Sequence, residues 1–145
     1  MINMLIWNIR GIAGRSSVRP LRKLLRLLSI SFLVILEPMV EASQLQAFIA
    51  KFGFHLAVWN VNNKIWVLWK ADWAINVLVN SEQFMHMAVT HSTRQSVVFC
   101  SFVYAKCTPV GRQDLWAGLT SILGNLISTP WMMGGDFNVI VEARE

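Results

Sequence analysis

The chain has 145 residues, of which 54% are apolar and 14% charged. That is long enough for one domain with a real core and too hydrophobic for a disordered polyelectrolyte. The net charge of +5 favours a polyanionic partner, without naming one.

Met4 to Trp7 is a short apolar run, expected as a strand. Nothing basic precedes it and no small-residue cleavage site follows, so it does not read as a signal peptide. Gly11 and Gly14 mark a loop. Ser16 or Ser17 is the expected cap of a helix running to about Leu28, with Pro20 accommodated in its first turn. Val18, Leu21, Leu25 and Leu28 share one face of that helix; Arg15, Arg19, Arg22 and Arg26 share another, more often a solvated face than a nucleic-acid contact. The apolar run from Leu27 to Leu36 is too short to span a bilayer, so no membrane partner is expected. Within it, Phe32 to Leu36 is continuous and β-rich, as for a strand buried on both faces.

Pro38 ends that strand. Ser43 and Gln46 have the spacing of a capping box, Leu45, Phe48, Ile49 and Phe52 have helical spacing, and Gly53 closes the helix. Five strand-like runs follow: Phe54–Trp59, Ile65–Trp69, Trp73–Val79, Phe84–His91 and Val97–Tyr104, with Asn62 and Asn63 as a turn. Leu115, Leu119, Ile122 and Leu126 predict a third helix, weakened by Gly118 and Gly124. Pro130 then precedes a strand at Trp131–Met133 that leads into Gly134, Gly135 and Asp136. Alternating helices and strands, then a run of strands, then helix and strand, predict an α/β layered domain with a mixed sheet over residues 1–145. Seven Trp and seven Met are more apolar surface than such a chain covers by itself, and the expectation is an N-terminal portion of a larger domain. The tryptophans are expected mainly in core or strand packing. Cys100 and Cys107 make no disulfide framework and have no zinc-type neighbours, which favours a reducing compartment.

The chemistry gathers where apolar runs end. Met4–Trp7 ends in Asn8, Phe32–Leu36 in Glu37, Val97–Val103 in Tyr104, and Trp131–Met133 in Gly134-Gly135-Asp136-Phe137-Asn138. Ligands of α/β sheets collect beyond strand ends. Carboxylates and amide oxygens are hard donors suited to Mg²⁺, which takes one or two carboxylates together with substrate phosphate. Two glycines before Asp136 are expected to let the backbone turn sharply and approach a substrate. Read singly, Asn8, Asn138 and Asp136 are also ordinary turn or cap residues, and Glu37 and Tyr104 ordinary strand ends.

Taken in order, Trp7-Asn8-Ile9-Arg10-Gly11, Ile35-Leu36-Glu37-Pro38, Val67-Leu68-Trp69-Lys70, Phe102-Val103-Tyr104-Ala105 and Gly134-Gly135-Asp136-Phe137-Asn138-Val139-Ile140 resemble the endonuclease/exonuclease/phosphatase superfamily. The resemblance is strongest to the endonuclease domain of plant LINE-type (non-LTR) retrotransposons. It implies part of a four-layer, deoxyribonuclease-like α/β sandwich with mixed sheets, and a phosphodiesterase that uses Mg²⁺ or Mn²⁺ to cleave DNA. By that resemblance Glu37 is the metal ligand, Asn8 helps position metal or phosphate, and Asp136 is the base that activates water. Asn138 orients the phosphate and Tyr104 stabilises charge there. Arg10, Arg15 and Lys70 are weaker candidates for contacts to the phosphate backbone. The implied location is nuclear or cytoplasmic, not secreted.

Two departures stand out. Asn62-Asn63-Lys64 replaces the glycine-rich turn usual before Leu-Trp-Lys. His55, His86 and His91 match no family position, and the catalytic histidine of the family lies in a segment beyond the last motif, so a C-terminally truncated site is expected. Two other readings stay open: a non-enzymatic remnant that at most binds nucleic acid, and a phosphoesterase of the same fold acting on a small or lipid phosphate.

Overall fold

A computed structural model describes residues 2–126 and 128–139, and the side chains of all of these except Arg15 and Gln95. The elements run β1 (Met4–Asn8), α1 (Arg15–Leu27), β2 (Phe32–Leu36), α2 (Leu45–Phe52), β3 (Leu56–Trp59), β4 (Ile65–Trp69), β5 (Trp73–Asn80), β6 (Phe84–His91), β7 (Arg94–Tyr104), α3 (Gln113–Asn125) and β8 (Trp131–Asp136). They build two four-stranded sheets, ordered β1-β2-β4-β3 and β5-β6-β7-β8. Each sheet holds one parallel pair, β1 with β2 and β7 with β8, and is otherwise antiparallel.

The apolar patterns dictate the layers. β2 and β4 are interior strands, and every residue of FLVIL and IWVLW is buried. One face of this sheet packs on the helices, Leu33, Ile35, Trp66 and Leu68 meeting Leu21 and Leu25 of α1 and Ile49 of α2. The other face (Phe32, Val34, Leu36, Val67) packs on Met85, Met87, Cys100 and Phe102 of the second sheet. Beyond that sheet, Leu115, Leu119 and Ile122 of α3 cover Phe84 and Val103. The result is a four-layer α/β/β/α sandwich, the layered α/β domain that the residues predict in the arrangement that the resemblance implies. Among the described residues no helix is long and apolar enough to cross a membrane.

Local signals are less reliable. Neither Ser16 nor Ser17 caps α1: Gly14 occupies the cap position, without a side-chain bond, and its carbonyl accepts from Ser17 N and Val18 N at 3.3 Å. The helix therefore starts earlier than expected, and Pro20 falls in its second turn, where its missing N–H costs a helical hydrogen bond. The Ser43–Gln46 box does not form, because a short 3₁₀ turn (Ala42–Gln44) leads into α2 on backbone bonds alone. Gly53 does end α2, left-handed at φ 76°, with Gly53 N on Ala50 O and Phe54 N on Ile49 O. That closure uses Phe54, so β3 begins two residues later than the apolar run. The tryptophans also divide: Trp66, Trp69 and Trp73 are buried, whereas Trp59 and Trp116 are exposed.

The largest revision concerns Gly134 and Gly135. They do not form a turn; β8 continues through them, with Gly134 opposite Phe102, Gly135 opposite Val103 and Asp136 opposite Tyr104. A Cβ on Gly135 would stand 2.0 Å from Val103 O, and one on Gly134 would stand 2.5 Å from Ile6 Cδ1. The glycines thus admit the neighbouring strand and the facing sheet, rather than bending the chain.

Candidate active site

Strand register brings the candidate residues to one end of the sandwich. In the first sheet Asn8 lies opposite Leu36, so Asn8 and Glu37 leave the same end of a parallel pair. In the second, Tyr104 lies opposite Asp136 at the end of the other parallel pair. Ile6 packs against Gly134 where the sheets face each other, and two residues further along both strands Asn8 Nδ2 donates to Asp136 Oδ2 at 2.8 Å.

The surrounding loops hold these groups in place. Asn138 N donates to Asp136 Oδ1 at 2.9 Å, so each carboxylate oxygen has a fixed donor. Asn138 Nδ2 donates to Ala105 O, tying the loop after β8 to the end of β7. Glu37 is fixed through its backbone, Glu37 N donating to Lys64 O at 2.8 Å and Glu37 O accepting from Gly11 N at 2.9 Å. Asn63, left-handed at φ 59°, takes the conformation a glycine would supply in that turn. Its Nδ2 donates to Val40 O, and its Oδ1 accepts from Trp66 Nε1. Arg10, Glu37, Met39 and Asn138 are non-glycine residues with φ between 47° and 56°. Such costly backbone conformations gather around functional sites.

A cleft of about 690 Å³ opens here, lined by Asn8, Arg10, Cys107, Asp136, Phe137 and Asn138 among others. The Tyr104 hydroxyl is pushed up to about 12, first by burial, then by the charge of Glu37 and a hydrogen bond to it, then by the charge of Asp136. Glu37 follows Leu36, the partner of Asn8, and Asp136 is the partner of Tyr104, so both carboxylates stand at the strand ends around one phenol, which stays neutral and able to donate at physiological pH. Asn8 Oδ1 is buried and has no hydrogen-bond partner among the described residues, a cost that a ligand in the cleft would relieve. An orphaned amide oxygen with Glu37 and Asp136 nearby is a donor set that fits a hard divalent cation completed by water and phosphate. Among the described residues no three His, Cys, Asp or Glu side chains cluster to hold a metal.

Asn8, Glu37, Tyr104, Asp136 and Asn138 thus come together, with Arg10 on the rim. Lys70 does not join them. It follows Trp69, which pairs with Phe32 at the start of β2, the opposite end from Asn8. The side chain of Arg15 lies outside the described residues, as does Ile140. The histidines are elsewhere: His55 Nδ1 accepts from Ala71 N, His91 pairs with Asp72, and buried His86 bonds Ser101, with its pKa lowered by burial. Sequence reading missed Arg112. Its guanidinium, almost fully buried, donates through Nη1 to the carbonyls of Lys106 (3.0 Å), Cys107 (2.8 Å) and Asn138 (2.8 Å), locking together the loops after β7 and β8. No local pattern marks it, since its partners are main-chain atoms brought close by folding.

No protein-family model and no curated protein matches the chain. Solved structures match it in fold over nearly all its length. The endonuclease domain of TRAS1, a telomere-specific non-LTR retrotransposon, aligns with a TM-score of 0.69 at 12% identity, over 97% of this chain and 62% of that one. The human Nocturnin catalytic domain, with bound sulfate, gives 0.64 at 13% identity, over 95% of this chain and 65% of that one. D. rerio TDP2 complexed with a single-strand DNA product gives 0.64 at 13%, over 96% and 61%. The chain has the endonuclease/exonuclease/phosphatase-like fold, a deoxyribonuclease-like α/β sandwich, and spans less than two thirds of the length of these three structures.

Proposed function

We propose that the cleft binds a divalent cation, Mg²⁺ foremost, and a phosphodiester of DNA, and that the chain derives from the endonuclease of a non-LTR retrotransposon. The observation that carries this reading is the junction of two parallel strand pairs, where Asn8 meets Asp136 beside Glu37 and Tyr104. The ordered motifs support it, as do the fold neighbours, one a retrotransposon endonuclease domain and one holding a DNA product.

In this reading Asp136, oriented by two donors, takes the proton of the attacking water as the bond from phosphorus to the leaving oxygen breaks. The neutral Tyr104 hydroxyl and the second Nδ2–H of Asn138 donate to phosphate oxygens as charge builds on them. Glu37 and Asn8 Oδ1 would hold the cation, which supplies Lewis-acid stabilisation of that charge when bound. Arg10 on the rim meets the flanking backbone.

Nicking of a supercoiled plasmid, with Mg²⁺ and with EDTA, tests the proposal. Metal-dependent nicking that falls at least about a hundredfold in both Asp136→Ala and Glu37→Ala is expected. A second reading, binding without turnover, is favoured by the histidines, which all lie away from the cleft. Mg²⁺ binding by calorimetry without nicking by the folded chain would establish that reading. Neither binding nor nicking would overturn both.

A further inference from the structure

A second cationic surface lies away from the cleft, in the groove between α1 and α2. One recess of about 600 Å³ is lined by Arg19, Arg22, Arg26 and Lys51. A second, of about 400 Å³, shares Arg22, Arg26 and Lys51 with it and adds Lys70. Among the described residues no carboxylate lines either recess, and none of these five cations is in a salt bridge. Arg19, Arg22, Arg26 and Lys51 are exposed.

Folding does not account for this arrangement. Residues 19, 22 and 26 fall on one face of α1 at spacings where like charges repel. The first turn of α1 contains no acid to offset Arg19 and Arg22, whereas Arg26 sits in the last turn, the one place on the helix where its dipole favours a cation. Ala13 and Gly14 also line the groove, on the loop that leaves Asn8 and carries Arg10 at the rim of the cleft. From there the cations extend along α1 for about 10 Å, at 1.5 Å per residue from Arg19 to Arg26.

We infer that this groove is a phosphate-backbone track, an accessory site that holds nucleic acid apart from the cleft. Three of the cations are guanidinium groups, whose planar fork matches phosphate oxygens in pairs. A membrane surface fits less well. An interfacial helix needs its apolar face in the lipid, but Val18, Leu21 and Leu25 of α1 are buried in the core. The track binds nucleic acid whether or not the cleft cleaves it.

The test is fluorescence anisotropy of a labelled DNA oligonucleotide in EDTA, over a series of salt concentrations. It compares the full chain with Arg19→Gln/Arg22→Gln/Arg26→Gln/Lys51→Gln and with Arg94→Gln. Circular dichroism melts verify folding; the exposed Gln substitutions are expected to leave the melt unchanged or raise it. The expected result is at least tenfold weaker binding in the quadruple variant, with a log K against log salt slope shallower by about 3, from 0.7 to 0.9 per phosphate contact. Binding by Arg94→Gln, at an exposed cation that lines neither recess nor the cleft, is expected to be retained. An unchanged affinity and slope in the folded quadruple variant would overturn the inference. So would loss of binding to vesicles containing anionic lipid with DNA binding intact, which would assign the groove to a membrane.

Discussion

Asn8 Nδ2 reaches Asp136 Oδ2 at 2.8 Å, joining the ends of two strands 128 residues apart and in different sheets. The bond satisfies the carboxylate but leaves Asn8 Oδ1 buried and without a partner among the described residues. Asn8→Asp converts this contact into two facing carboxylates. In EDTA at neutral pH the variant should be less stable by about 2 kcal/mol, the scale of a lost hydrogen bond to a charged group. Mg²⁺ should raise its melting temperature more than that of the parent, since a cation would now separate two like charges. Equal melting temperatures in EDTA would show that Asn8 and Asp136 do not meet in solution.

Tyr104 offers a direct electrostatic readout, because it is the only tyrosine in the chain and its ultraviolet titration is unambiguous. The expected midpoint is about 12, against an ordinary value of 10.0. Glu37→Gln should bring it down only in part, because burial is the larger cause. The sign for stability follows from the direction. The folded state keeps the phenol proton where the unfolded chain loses it, so the contribution is complete below pH 10 and is lost as pH rises from 10 through about 12. A midpoint near 10 would mean that the hydroxyl is neither buried nor beside the carboxylates.

Two glycines separate backbone necessity from permissiveness. Gly135→Ala would place a methyl group 2.0 Å from Val103 O at φ 149°, and the expected loss is about 3 kcal/mol or more, since backbone must move. At Gly124, near the end of α3, an added methyl group would meet nothing within 4 Å. Gly124→Ala should stabilise by up to about 1 kcal/mol through helix propensity. Chemical denaturation of both variants measures the contrast. Equal effects would mean that β8 does not pair with β7 in this register.

The layered architecture and the polar residues that close its strands were legible along the chain. Continuous apolar runs such as FLVIL and IWVLW can be buried only on both faces, which makes them interior strands. Runs ending in Asn8, Glu37, Tyr104 and Asp136 place polar groups at strand ends whatever the register. Those are properties of composition and period, which need no knowledge of neighbours in space.

Which strand ends meet is a matter of packing. Register places Asn8 and Glu37 at the end of one parallel pair and Tyr104 and Asp136 at the end of another, and Gly134 lets Ile6 of the facing sheet come close enough to join the two pairs. Packing also sends Lys70 to the far end of β4 and buries Arg112 beneath the loops of the cleft. Capping is settled there as well: the serines near α1 and α2 carry a local signal, but Gly14 and a 3₁₀ turn supply the ends. Local preferences are worth about 1 kcal/mol each, so the packing of four layers outweighs them wherever the two disagree.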